Sequence, residues 1–333
     1  MSATSETCPL VCGEDRPVEQ RYCAEVSGFC GEDPIGSAPG HRRYLLVEVP
    51  LPWEHQVEQS KHFPEGLGET LKRVQAEVPP FRLLGFAPEP LHSVAGHRRI
   101  ICYERPDGPF ARFDKREFIV PEQRLNALVE ALLHAEGDLS SFEDCLTADG
   151  ETRDLFVCTH GSHDVCCGKF GYPAYKEIFD RYALSSGGRL RVWRTSHFGG
   201  HRHAPTMIDF PEGRYWAQIT SERLDALLLR QGGFEPLARH YRGWGGVGTF
   251  EQVVEREMLL REGWDWIEYK KQAELHKKDE ASAVVRLHVW RSEDAECETY
   301  EAEVSISGKV GTGGCGHGWG EARQFTVSDV TQV

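Results

Sequence analysis

The sequence predicts an α/β (α+β) fold in which one β-α-β-β-β-α unit occurs twice and is followed by a smaller appendage. The order of strand-like and helix-like segments in residues 41–145 recurs in residues 146–235. The segments that close the two units are also alike, FIVPEQRLNALVEALL and AQITSERLDALLLRQ. Beyond Pro236 the composition changes. We therefore expect a Cys-rich entry segment (1–40), two units (41–145 and 146–235) and an appendage (236–333) made of a helix and an antiparallel sheet.

Short apolar, β-branched runs predict the strands of the first unit, and apolar residues at helical spacing predict its helices. The strands are expected at Tyr44–Val49, Phe81–Phe86, Arg99–Tyr103 and Glu117–Val120. The helices are expected at Leu67–Val78 and from Pro121 to about Leu133, where proline suits a first helical turn.

The second unit has the same pattern. Strands are expected at Asp154–Cys158, Leu190–Arg194, Met207–Phe210 and Tyr215–Ile219. One helix is expected to start near Pro173 and reach Tyr182, and another to follow Ser221 as its N-cap. A single helix-and-sheet unit of this size resembles a thioredoxin-like fold, so the chain is interpreted as a degenerate duplication of such a unit.

The appendage is expected to contain a helix and three strands, at Phe250–Arg261, Val284–Trp290, Thr299–Ile306 and Gln324–Val327. Lys270–Glu280 is charged and is expected to be a solvated stretch. The glycine-rich segment GKVGTGGCGHGWGE predicts a mobile hairpin tip that carries Cys315 and His317. The alternative is that these two residues bind a metal.

Composition limits the classes of partner. Of 333 residues 40% are hydrophobic, and the formal charge is −14. Nucleic acid and anionic membranes both require a basic surface, so neither is expected as a partner. The negative net charge favours docking to a partner protein that has a basic face. Neither a secretory signal nor an apolar run of membrane-spanning length is visible, which predicts a cytoplasmic location.

The eleven cysteines and fifteen histidines favour metal or redox chemistry. The cysteine count is odd and export is not signalled, so structural disulfides are not expected. Cys8, Cys12, Cys23 and Cys30 match no standard zinc spacing, and free thiols in a flexible segment are favoured over a zinc site or a second cluster.

Two loops in the second unit carry the densest group of such residues. CTHGSHDVCCGKFG follows one expected strand, and RTSHFGGHRHAP follows another. Neighbouring strands of one sheet bring such loops together. Eight residues separate Cys158 from Cys167, and three separate His197 from His201. Two glycines between the histidines favour a loop that closely encloses a ligand over a helix.

The motifs CTHGSHDVCC, SHFGGHRHAPT and PEGRYW resemble the sucrase/ferredoxin-like family, as do GEDPIGSAP and YRGW. That family is related to thioredoxin-like [2Fe-2S] ferredoxins. The resemblance implies a [2Fe-2S] cluster with ligands Cys158, Cys167, His197 and His201. Cys166 is then a neighbour rather than a ligand, and His160, His163 and His203 are supporting or exposed histidines.

The predicted function is therefore electron transfer with a redox protein partner, a reductase or an acceptor, rather than stand-alone catalysis. Imidazoles in place of two thiolates reduce the negative charge of such a site and raise its potential, as in Rieske centres. A structural zinc module is the main alternative, because zinc takes the same four ligands. A hydrolase acting on sucrose is disfavoured, since Asp164, Asp209 and Glu212 give no identifiable pair of carboxylates.

Overall fold

The structure, a computed structural model, describes residues 17–134, 137–147 and 152–333. It contains helices and two β-sheets, one of nine strands and one of five. The α/β (α+β) class predicted from the sequence is confirmed.

A short helix and the first unit come first in the chain. The helix α1 covers Cys23–Phe29. The strands of the first unit are β1 (Arg43–Glu48), β2 (Arg82–Phe86), β3 (His97–Glu104) and β4 (Asp114–Pro121). Its helices are α2 (Leu67–Gln75) and α3 (Leu125–Leu133). The strands and helices of the first unit agree with the expected elements to within a few residues at their ends, whereas the helix α1 in the entry segment was not predicted.

The second unit repeats this order. Its strands are β5 (Arg153–Cys158), β6 (Leu190–Thr195), β7 (Thr206–Phe210) and β8 (Arg214–Ala217). Its helices are α4 (Val165–Ile178) and α5 (Leu224–Leu229). A further strand, β9 (Tyr241–Trp244), pairs with β8 and completes the large sheet.

The strand arrangement of the two units is the same. The order in the sheet is β4-β3-β1-β2-β6-β5-β7-β8-β9, so the first unit reads 4-3-1-2 and the second reads 2-1-3-4 in its own numbering. In each unit the first two strands are parallel and the remaining pairs are antiparallel. The units join edge to edge where Phe86 pairs with Thr195. The expected duplication of element order is therefore present in the fold.

The large sheet curves so that the two units face each other across a shared interior. Four strands lie between β3, which carries Tyr103, and β7, which carries Phe210, yet the two rings stack with centroids 3.9 Å apart. Tyr44 and Tyr215 share a hydrogen bond of 2.8 Å between their hydroxyls across the same interior. The two units thus enclose one common core of aromatic side chains.

The helices cover the outer faces of the sheet. α2 and α3 pack on the first unit around Leu45, Val47 and Ile100. α5 and the helix α6 (Thr249–Glu262) pack on the second unit around Leu155 and Val157. Burial of these apolar side chains supplies most of the stability of the fold.

The appendage is a second sheet. It contains β10 (Lys270–Lys278), β11 (Ser282–Trp290), β12 (Glu298–Gly314), β13 (His317–Val327) and β14 (Thr331–Gln332). Lys270–Glu280 is mostly exposed, as expected, but most of it forms the edge strand β10, where charge is tolerated, and Lys271 is buried. The glycine-rich segment is the end of the β12–β13 hairpin and packs against the chain near α1.

Two helix starts also differ from those predicted. α4 begins at Val165, eight residues before Pro173, because Asp164 caps it by accepting a hydrogen bond from the Cys166 backbone N–H. Ser221 does not cap α5. Its hydroxyl donates to Glu177, and a 3₁₀ turn precedes the helix instead.

Candidate metal centre

The parallel strands β5 and β6 end at the same edge of the sheet and place the two predicted loops side by side. β5 ends at Cys158, and the loop after it turns directly into α4, which carries Cys167 in its first turn. β6 ends at Thr195, two residues before His197. The expectation that these loops follow neighbouring strands of one sheet is confirmed.

Gly171 allows α4 to approach the end of β5 closely. A Cβ atom at this position would lie 1.9 Å from the Cys158 carbonyl oxygen, which is far inside contact distance. Only glycine fits between helix and strand here, and this close packing brings the Cys167 thiol to the Cys158 thiol.

Cys158, Cys167 and His197 form a compact group of ligand atoms. Nδ1 of His197 lies 3.9 Å from Sγ of Cys158 and 3.7 Å from Sγ of Cys167. All three atoms lie within 4.8 Å of one another. Both cysteines are buried, and the imidazole is partly exposed. The structure thus brings together three of the four residues that the resemblance implies as ligands.

Burial and neighbouring groups determine the protonation states of the three residues. Burial, with the positive charges near it, lowers the pKa of His197 to about 3, so the imidazole is neutral and keeps its lone pair at pH 7. Hydrogen bonding with Cys158 and burial raise the pKa of the Cys167 thiol. A bound cation reverses that shift, because a coordinating thiol is deprotonated.

Other side chains hold the His197 loop in place. His160 accepts a hydrogen bond from the His197 backbone N–H at its Nδ1 and donates from Nε2 to the carbonyl of Glu54. Arg82 donates to the His197 carbonyl, and the His163 ring stacks on the His197 ring with centroids 4.0 Å apart. His160 and His163 therefore support the site, as expected, whereas His203 is buried 3.7 Å from Glu32.

His201, the fourth expected ligand, is turned towards other groups. Its Nδ1 lies 2.9 Å from Oδ2 of Asp164 and 3.1 Å from Sγ of Cys23, and its ring centroid is 6.0 Å from that of His197. Sequence reasoning missed the Asp164 contact, although Asp164 directly precedes the helix that carries Cys167.

Cys166 belongs to a different group of thiols. Its Sγ lies 3.5 Å from that of Cys23 and 3.3 Å from that of Cys315. The hydrogen bond from Cys23 lowers the pKa of Cys166 to about 7. Cys23 is a free thiol, as expected, but it is buried in α1 and does not lie in a flexible segment. No local sequence signal links these residues, which are 143 and 149 positions apart.

Two other N-terminal cysteines have no described position, and a third is oxidised. Cys8 and Cys12 lie outside the described residues. Cys30 is disulfide-bonded, which corrects the expectation that structural disulfides are absent.

The carboxylates considered for hydrolysis are each engaged elsewhere. Asp209 pairs with Arg153, Glu212 with Arg230, and Asp164 with His201. The described residues that line the groove beside His197 include arginines and histidines but no Asp or Glu. This groove therefore lacks the two opposed carboxylates that glycoside hydrolysis requires.

Comparison with known proteins gives one distant curated relative. It is the altered inheritance of mitochondria protein 32 of Meyerozyma guilliermondii, 24% identical over 170 residues, a match that covers 45% of this chain and 58% of the relative. No solved structure matches. Within the described residues, no helix combines the length and apolar character needed to cross a membrane.

The sucrase/ferredoxin-like family matches residues 34–243, which is more than half of the chain. The matched range includes both loops of the candidate metal centre and excludes Cys23 and Cys315. On the strength of this match, the chain belongs to the sucrase/ferredoxin-like family.

Proposed function

We propose that this protein carries a [2Fe-2S] cluster held by Cys158, Cys167, His197 and His201 and that it transfers electrons. The observation that supports this most directly is the meeting of two buried thiols and a neutral imidazole at the end of β5 and β6. Thiolate and imidazole are the ligands of known [2Fe-2S] proteins with mixed coordination.

The position of His201 is compatible with this ligand set. A two-iron cluster divides its four ligands into two pairs, one for each iron, so the fourth ligand does not have to lie as close to the others as around a single ion. Asp164 accepts a hydrogen bond from Nδ1 of His201 when that nitrogen carries the proton. A carboxylate in this place fixes the tautomer and leaves Nε2 as the free ligand atom.

Such a cluster supplies reversible one-electron transfer. The chain's own residues set how readily the electron is accepted. Neutral imidazoles in place of thiolates leave the site less negative, which favours the reduced state. Phe198 and Trp193 are buried in the core that includes Cys158 and Cys167, so the thiolate side of the site is shielded from water. The side of the site with the two histidines is partly exposed, whereas the side with the two thiolates is apolar. Electrons would therefore reach and leave the cluster through the histidine side.

That face is the proposed contact with a redox partner. The net charge of −14 attracts a partner with a basic face at long range. The groove that exposes His197 is itself lined by Arg82, Arg202 and Arg242. We therefore propose that neutral or acidic groups of the partner fill the groove, with basic groups around it. The cytoplasmic location stays a prediction.

A single zinc ion is the second candidate for this site. Three ligand atoms within 4.8 Å of one another also fit one tetrahedral cation. Colour separates the two, because zinc has a filled d shell and no visible absorption.

The test is analysis of iron, acid-labile sulfide and zinc in protein purified without oxygen, with a visible spectrum before and after dithionite. The proposal requires two irons and two sulfides per chain and a visible band that bleaches on reduction. A colourless protein without iron, after expression in iron-replete medium, would contradict it.

A further inference from the structure

We propose that Cys23, Cys166, Cys315 and Asp164 form a second metal site, which binds a structural Zn²⁺ ion. The site is separate from the proposed cluster and does not depend on it. Its four ligand atoms lie within 4.8 Å of one another. The sequence predicts no link between any two of these four residues.

The distances between the thiols fit zinc rather than a disulfide. The Sγ atoms of Cys23 and Cys166 are 3.5 Å apart, and those of Cys166 and Cys315 are 3.3 Å apart. A disulfide bond is about 2.05 Å long. Zinc–sulfur bonds of about 2.3 Å in a tetrahedron separate neighbouring sulfurs by about 3.8 Å. Small side-chain movements therefore bring all three thiolates onto one ion.

Two of the proposed ligands are buried, and Asp164 and Cys315 are partly buried. Cys166 is fully buried and Cys23 is 2% exposed, packed with Ala24 and Ala204. Structural zinc sites are typically closed, with four protein ligands and no position left for water. Cys166 also lies in the first turn of α4, where the unpaired backbone N–H groups stabilise a thiolate.

Asp164 is the fourth ligand because it is already fixed beside the thiols. Its Oδ1 accepts the Cys166 backbone N–H at 2.8 Å, and its Oδ2 faces His201. With Asp164 as ligand, His201 remains available to the proposed iron site. A carboxylate shared between the zinc ion and His201 then connects the two sites.

The hairpin tip is held at this site by backbone hydrogen bonds. The Cys315 N–H donates to the carbonyl of Arg21, and the Gly316 N–H donates to the carbonyl of Glu19. The Cys23 N–H points to Sγ of Cys315 at 3.3 Å. Gly314 has a φ of +93°, and a Cβ there would lie 2.8 Å from the Arg21 carbonyl oxygen. The backbone thus places Cys315 against α1 before any ion binds.

The ion would join three parts of the chain that are distant in sequence. Cys23 comes from α1, Cys166 and Asp164 from the start of α4, and Cys315 from the appendage. Zinc binding would therefore fasten α1 and the tip of the β12–β13 hairpin to the unit that carries the proposed cluster.

The experiment measures zinc and iron in the whole protein by mass spectrometry of the elements, after expression with both metals and purification with reductant. Wild type and the exposed-thiol control Cys297→Ala should each contain about one zinc per chain. Cys315→Ala and Cys23→Ala should lose it while iron is retained, and Cys158→Ala should lose iron while zinc is retained.

Zinc in Cys315→Ala at the wild-type amount, or zinc lost only in Cys158→Ala, would overturn the proposal. A Cys166–Cys315 disulfide in zinc-free wild type would also overturn it. If the variants do not fold, zinc-edge X-ray absorption of wild type decides. A zinc ion bound by three sulfurs at about 2.3 Å and by one oxygen would support the proposed site, and any other set of zinc ligands would refute it. Absence of iron in wild type would contradict the cluster alone.

Discussion

Cys166 and Cys167 are adjacent in the sequence, yet their thiols face two different groups of ligands. Sγ of Cys167 lies 3.7 Å from His197, whereas Sγ of Cys166 lies 3.3 Å from Cys315. Successive residues of a helix point about 100° apart, so the first turn of α4 directs one thiol to each group.

Replacement of either cysteine should therefore have a different effect. Cys167→Ala removes a proposed iron ligand and should lose or alter the visible spectrum. Cys166→Ala should largely keep that spectrum. Single changes of Cys158, His197 or His201 to Ala should behave like Cys167→Ala. The measurement is iron content with visible absorption, and bleaching by Cys166→Ala but not by Cys167→Ala would place the ligand one residue earlier.

The reduction potential of the cluster should depend on whether His197 and His201 are its ligands. His197→Cys or His201→Cys adds a thiolate and a negative charge to the site. If the cluster assembles, its midpoint potential should fall, on the order of 100 mV. His163→Gln alters a ring that stacks on His197 without adding charge, so it separates the effect of the added thiolate from the effect of disturbing the site. Redox titration followed by visible absorption gives the values. An unchanged potential in both cysteine variants would mean that neither histidine binds iron.

Gly171→Ala should disrupt the site through the backbone. The added methyl group meets the Cys158 carbonyl at 1.9 Å, so α4 must move away from β5. We expect a loss of about 1–3 kcal/mol in unfolding free energy together with loss of iron. Gly68→Ala, in α2, meets nothing within 4 Å and should be neutral or stabilising by up to about 1 kcal/mol. Denaturant unfolding compares the two, and equal stability of both variants would contradict the close packing.

Stability at acid pH should depend on Glu117, which lies between the two units. Burial opposes its ionisation, but hydrogen bonds and positive charge from Arg191 and Lys115 lower the pKa of Glu117 from 4.5 to about 2. A carboxyl group whose pKa is lower in the folded state than in the unfolded chain stabilises the folded state, and the full effect is present at pH values above its unfolded pKa. That contribution, up to about 3 kcal/mol, is lost as the pH falls from 4.5 towards 2.

Glu117→Gln should therefore be less stable than wild type at pH 7 and lose less of its remaining stability below pH 4.5. The control is Glu122→Gln, because Glu122 is an exposed partner of Arg98. Unfolding followed by circular dichroism at several pH values gives the comparison. Parallel pH profiles for wild type and Glu117→Gln would show that this carboxylate does not contribute.

The sequence predicts the parts of the fold that depend on local pattern. The strands of both units are apolar runs such as Tyr44–Val49, and the end of each follows from flanking Pro or polar residues. The edge position of Lys270–Lys278 was missed, because an edge strand with exposed charges has the same pattern as a solvated loop. Pro173 does not mark the start of α4, because an aspartate cap nine residues earlier starts the helix.

The candidate metal centre also has a part that the sequence predicts and a part that it does not. Cys158, Cys167 and His197 come together because two parallel strands end at one edge, which strand order predicts. The group of Cys23 and Cys315 depends on contacts between residues 292 positions apart. A pairing of that kind follows from how the appendage packs, and no spacing in the sequence encodes it.

The most direct test of the cluster is X-ray diffraction from crystals grown without oxygen, with anomalous data collected on both sides of the iron absorption edge. Two neighbouring iron peaks, or one unresolved peak elongated between Cys158, Cys167, His197 and His201, are the expected result. Iron centred on Cys166 instead, or no iron signal in that space for crystals of coloured protein, would contradict the account.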